Sequence, residues 1–128
     1  MKNIFFHYII LIFPLKALSQ SDKIKIFLSC PCDDDFIKQN TLIFDYVRDR
    51  TLSDIEVFVF EISNAGGGNK YSFEYFGKNK FSNTENKIHT DIEQNLTFNE
   101  SREVLLNTYK LGMVYFLQNT EYRLQRHH

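Results

Sequence analysis

The chain has 128 residues, which is room for one domain, and 43% hydrophobic with 24% charged residues is a composition typical of folded proteins. A formal net charge of -1 gives no general attraction to nucleic acid or to an anionic membrane, and Lys and Arg do not cluster along the sequence. We therefore expect no nucleic-acid partner.

The N-terminal segment has the parts of a signal peptide. Lys2 supplies a positive charge, residues 4–13 are almost wholly apolar, and Ala17 and Ser19 are the small residues that a signal peptidase reads. A membrane anchor is disfavoured, because a spanning helix needs about 20 apolar residues. We predict residues 1–19 as a signal peptide, export to the periplasm or outer membrane, and no transmembrane segment in the mature chain.

The next elements are short. Residues 23–28 alternate between apolar and polar side chains, which predicts a first strand. A turn with Cys30 and Cys32 follows, and three aspartates then favour a helix over residues 34–40, because carboxylates suit a helix N-terminus. Residues 41–47 alternate as well, which favours a second strand over continuation of the helix.

The segment 54–77 is predicted to be the hairpin around which the domain packs. Residues 55–62 are apolar at nearly every position, which predicts a central strand buried on both faces. A loop with glycines 66–68 follows, and residues 71–76 predict a half-exposed partner strand. A phosphate-binding role for the glycines is disfavoured, because a strand follows them where a phosphate loop requires a helix.

Residues 78–95 are polar and predict a long loop, with one further short strand near residues 87–90. The last element is the clearest helix. Thr97 and Glu100 are spaced as a capping box. The apolar stripe that follows is Val104, Leu105, Thr108, Leu111, Gly112, Tyr115 and Phe116, widened by Leu106, Met113 and Leu117.

Gly112 costs about 1 kcal/mol relative to Ala inside a helix. We therefore expect it to permit a close approach of the helix to the sheet. The elements together predict an α+β fold over residues 20–119. It is a two-layer sandwich in which a small, three- to four-stranded, mostly antiparallel sheet is covered by the C-terminal helix plus one short helix. Residues 120–128 are predicted as a disordered polar tail.

Cys30 and Cys32 are the only cysteines and the main candidates for chemistry. In an oxidising compartment they form a disulfide or redox pair. We favour a structural or incidental pair. A redox role and metal binding remain as alternatives, although the common redox motif has two intervening residues, and thiolates and carboxylates prefer different ions. We predict no catalytic residue, no cofactor and no metal site, and hence no enzyme, because no nucleophile lies beside a base.

Several motifs together resemble an uncharacterised exported family of Bacteroidota and related bacteria. They are the Cys32-Asp33 pair after the first strand, the YVRDR segment 46–50, the strand start 54–57, the glycine loop and the KLG segment 110–112. The similarity runs from about Ile24 to Leu117. Members of that family continue into a strand-rich region that looks like an outer-membrane β-barrel, and this sequence departs from the pattern by stopping.

The resemblance implies an N-terminal periplasmic α/β domain, here the module alone, from a truncated or frame-shifted gene. The expected function is non-enzymatic, in protein interaction or assembly beside an outer-membrane barrel, with an outer-membrane or periplasmic protein as partner. The alternative is a small redox or metal-binding protein that uses Cys30-Pro31-Cys32. Neither the residues nor the resemblance indicates an oligomeric state.

Overall fold

The structure is a computed structural model that describes residues 22–126, with side chains up to residue 120. The predicted signal peptide lies outside the described residues. The strands are β1 (Lys25–Ser29), β2 (Asp45–Tyr46), β3 (Ile55–Ser63), β4 (Asn69–Gly77) and β5 (Glu85–Ile92), and the helices are α1 (Asp34–Gln39) and α2 (Phe98–Arg126). Two short 3₁₀ turns, Arg50–Leu52 and Asn79–Phe81, lie between strands.

The five strands form one mixed sheet in the order β2-β1-β3-β4-β5. The α+β class, the long C-terminal helix and the short helix are confirmed, but the sheet has more strands than predicted. It is also less antiparallel, because β1 is parallel to both β2 and β3, whereas the pairs β3–β4 and β4–β5 are antiparallel. The connection from β2 to β3 has eight residues, which include the 3₁₀ turn Arg50–Leu52.

The core lies between one face of the sheet, here called the inner face, and the helices. Ile55, Val57 and Val59 of β3 and Phe73 and Tyr75 of β4 are at most 5% exposed. The other side of the sheet, the outer face, is not covered by α1 or α2. Burial of β3 is therefore one-sided, which differs from the two-sided burial predicted from its apolar sequence.

Helix α2 begins with the predicted capping box. The Thr97 backbone N–H donates to Glu100 Oε1 at 3.0 Å, and the Glu100 N–H donates to Thr97 Oγ1 at 3.1 Å. The helix continues through Arg126, so residues 120–126, which the sequence predicted as a disordered tail, are helical.

The buried side of α2 is rotated relative to the predicted stripe. Leu111 and Tyr115 are 45% and 49% exposed, whereas Tyr109, which the stripe omitted, is fully buried. The buried positions are Leu105, Leu106, Thr108, Tyr109, Gly112, Met113, Phe116 and Thr120. The rotation brings a second tyrosine into the core, where its ring stacks on that of Tyr75 with centroids 6.2 Å apart.

Gly112 of α2 lies in close contact with Tyr75 of β4. A Cβ atom at this position would lie 2.4 Å from Tyr75 Oη. The Tyr75 hydroxyl donates to the Tyr109 carbonyl at 2.8 Å, which holds the ring against the helix. The expected close contact at this glycine is therefore present, and Tyr75 is the side chain that requires it.

Candidate functional site

The outer face of the sheet carries a cluster of aromatic side chains from three neighbouring strands. Phe27 of β1, Phe58 of β3 and Phe76 of β4 are half-buried against one another. Ring centroids are 6.1 Å apart for Phe27–Phe58 and 6.0 Å for Phe58–Phe76, with interplanar angles of 58° and 61°. Tilted pairs at this distance are favourable aromatic contacts. The three rings form a continuous apolar stripe across the middle of the outer face.

The stripe continues along β3 toward the glycine loop, where it becomes more exposed. Phe60 is 49% exposed and Ile62 is 56% exposed, and both share the outer face with Phe58 because side chains alternate along a strand. Their neighbours across the β3–β4 pair, Ser72 and Lys70, are too small or too polar to cover them. Phe60 and Ile62 are therefore exposed to solvent.

The opposite end of the stripe is bordered by charges that belong to the YVRDR segment and its neighbours. Arg50 forms an ion pair with Glu56, and its guanidinium lies 5.0 Å from the centroid of the Phe58 ring. Lys78 Nζ lies 3.9 Å from the same Glu56 carboxylate. Asp49 accepts a hydrogen bond from the Thr51 N–H at 3.0 Å and so caps the 3₁₀ turn that carries Arg50.

The charged residues on the rest of the outer face are of both signs. Glu74 of β4 stands opposite Lys87 of β5 in the strand register, and Lys70 stands opposite Asp91. His89 stands between these pairs, opposite Ser72, and is exposed. The outer face therefore has no dominant charge. A mixture of charges is more complementary to the surface of another protein than to a polyanion or an anionic membrane.

Cys30 and Cys32 form a disulfide at the end of β1, with Cα atoms 5.2 Å apart. Both side chains are half-buried against the core. Asp33 follows directly and caps α1, and its carboxylate is 3.4 Å from Arg102 of α2.

The remaining sequence candidates are not brought together into a site. The glycines 66–68 turn the hairpin, with positive φ angles of 87° at Gly67 and 77° at Gly68, and Asn64 donates its N–H to the Gly68 carbonyl. Within residues 22–126, no three His, Cys, Asp or Glu side chains are close enough together to hold a metal ion.

A chain of hydroxyl groups joins β2 to α2 inside the domain. The Tyr46 hydroxyl is 2.6 Å from Thr41 Oγ1 and 2.8 Å from the Tyr109 hydroxyl. Burial raises the pKa values of Tyr46 and Tyr109 above the usual value for tyrosine. These phenols are neutral and hydrogen-bonded, so they stabilise the fold.

A second apolar surface lies in the helical layer, between α2 and the turn that precedes β2. Leu42 and Ile43 of this turn are 70% and 73% exposed, the highest values among the described large hydrophobic residues. The prediction of a strand over residues 41–47 is wrong for residues 41–44, because the observed β2 contains only Asp45 and Tyr46, and this surface was therefore not predicted. Because β2 begins only at Asp45, Leu42 and Ile43 lie in a turn outside the sheet, where their side chains are exposed.

The chain matches no family model, no curated protein and no solved structure. The described helices include none that is long and apolar enough to cross a membrane.

Proposed function

We propose that this chain is an exported, non-enzymatic module that binds another protein through the outer face of its sheet. The observation that supports the proposal is the uncovered aromatic stripe of Phe27, Phe58 and Phe76, which extends to the half-exposed Phe60 and Ile62. Large exposed apolar side chains that form a contiguous group mark interaction sites on folded proteins.

The chemistry of the outer face favours a protein partner. Phenylalanine and arginine are enriched at the centres of protein interfaces, and Arg50 packed on Phe58 provides both. Charges of both signs surround the stripe, and such a rim sets the orientation of a protein partner. Together with the family resemblance, the surface supports a partner in the periplasm or outer membrane, beside an outer-membrane barrel.

Site-specific photo-cross-linking in the bacterium that encodes the protein tests the proposal. A benzophenone amino acid replaces Phe60 on the outer face or Tyr115 on α2, and these two aromatic side chains are both 49% exposed. We expect a discrete cross-linked product from position 60 and none of that mass from position 115. The same products from both positions, or no product from position 60, would refute the proposal. A product of twice the chain mass would identify the partner as a second copy.

For the disulfide, we propose a structural role in which it fixes the turn between β1 and α1. Replacement of both Cys30 and Cys32 by Ser then lowers the free energy of unfolding without changing the cross-link from position 60. Loss of the cross-link in a variant that still folds would favour the redox alternative.

A further inference from the structure

The groove in the helical layer has the construction of a binding site for a chain-like apolar ligand. One wall is the turn with Leu42, Ile43 and Phe44, and the other is α2 with Met113 and Leu117. The volume between them is about 330 Å³. This lies at the small end of the range for ligand pockets, about 300–1,000 Å³.

The bottom of the groove is made by core side chains and its edges by exposed ones. Met113 and Phe44 are 2% and 9% exposed, so the bottom is held in place by the core. Leu42, Ile43 and Val114 form the edges and are between 49% and 73% exposed. A ligand that fills the groove would cover part of the exposed surface of each of these three edge residues, and burial of apolar surface is favourable.

One charged group borders this apolar groove. Lys110 lies one helical turn before Met113 and Val114 on the same side of α2, because residues three and four apart are neighbours on a helix. Its ammonium group makes no ion pair or hydrogen bond with the residues for which side chains are described. A single unpaired cation beside an apolar groove is complementary to a molecule with one anionic head and a hydrocarbon chain.

We infer that this groove binds an acyl chain with an anionic head, such as a medium-chain fatty acid, with the head at Lys110 and the chain between Leu42 and Val114. A methylene group occupies nearly the volume of a water molecule, about 30 Å³ in the liquid, so the groove has room for on the order of ten carbon atoms. Dodecanoate is therefore the probe of choice.

Binding is measured by calorimetry and by NMR shift changes on the full-length mature protein, with dodecanoate well below its critical micelle concentration. We expect one-to-one saturable binding, with the largest shifts at Leu42, Ile43 and Met113. Val114→Asp should abolish binding. Leu111→Asp is the matched control, since Leu111 is 45% exposed on the same helix but does not line the groove, and it should leave binding unchanged.

The role of the cation is tested separately with Lys110→Gln. The loss of one exposed charge pair weakens an interaction by about two- to fivefold. We expect this loss for dodecanoate and no change for dodecanol, which has the same chain and no charge. Absence of saturable binding, or equal effects of Val114→Asp and Leu111→Asp, would overturn the inference. So would a groove-dependent dimer in sedimentation, or binding to anionic vesicles alone, because these outcomes assign the groove to a second copy or to a membrane surface.

Discussion

The substitution Gly112→Ala tests how closely α2 packs on the sheet. The sign of the change in the free energy of unfolding differs between a closely packed and a loosely packed helix. In an open helix, Ala would stabilise the chain by about 1 kcal/mol relative to Gly. Here the added Cβ would lie 2.4 Å from Tyr75 Oη and 2.6 Å from its Cε1, well inside van der Waals contact. Tyr75 is fully buried and stacked on Tyr109, so its ring has no free space into which to move.

The magnitude follows from two destabilising terms and one opposing gain in helix propensity. Overpacking of a well-filled core costs about 1–3 kcal/mol, and displacement of the Tyr75 hydroxyl from the Tyr109 carbonyl costs about 1–3 kcal/mol more. After subtraction of the helix-propensity gain of about 1 kcal/mol, we expect Gly112→Ala to lower the free energy of unfolding by about 1–5 kcal/mol.

Urea unfolding followed by circular dichroism measures this change. Asn107→Ala is the control, because Asn107 is exposed on the same helix and should show a stabilisation of a few tenths of a kcal/mol. In a Tyr75→Phe background the hydroxyl is absent, so Gly112→Ala should cost less than it does with Tyr75 present. Stabilisation by Gly112→Ala would refute the close packing of α2 on β4.

Three further substitutions or conditions test the rest of the fold. Thr97→Ala removes one half of the capping box and should cost about 1 kcal/mol in urea unfolding, whereas Thr97→Ser should be close to neutral; equal losses in both would argue against the cap. Val57→Asp places an unpaired charge on the inner face and should abolish folding, and a cooperative unfolding transition in this variant would contradict the position of β3. Burial raises the pKa of Tyr46 and of Tyr109 in the folded state, so the folded state holds more protons than the unfolded state above pH 10. Stability should then be complete below about pH 9 and should fall as the pH rises above 10, by at most about 1.4 kcal/mol per pH unit for each such tyrosine; Tyr109→Phe should reduce that slope, and an unchanged slope would show that its phenol is not involved.

Local patterns predicted those parts of the fold that local physics determines. The capping box at Thr97 and the close contact at Gly112 were both predicted, because a cap depends on residues three apart and an interior helical glycine has few other uses. The hairpin of β3 and β4 was also predicted from its two β-rich runs. Each of these features is encoded within a short stretch of the chain.

Features that depend on distant contacts were not predicted. The sequence of β3 does not show whether a second layer covers Phe58 and Phe60, since an apolar strand looks the same in a sandwich core and at an interface. Likewise, the direction of β1 relative to β3 depends on how the chain returns between them, and periodicity contains no information on this. The rotation of α2 that buries Tyr109 was missed because the helix is apolar over a wide arc.

The proposed function requires that the outer face of the sheet binds a protein. The cross-link from position 60 first identifies the partner. The dissociation constant of the complex between this partner and the purified chain, compared with the constants for two variants, then tests the claim most directly. We predict that Phe60→Asp weakens binding at least tenfold, as expected for an aromatic side chain at an interface centre, and that Tyr115→Asp leaves it unchanged. Equal affinity of the Phe60→Asp variant and the unmodified chain would contradict the claim.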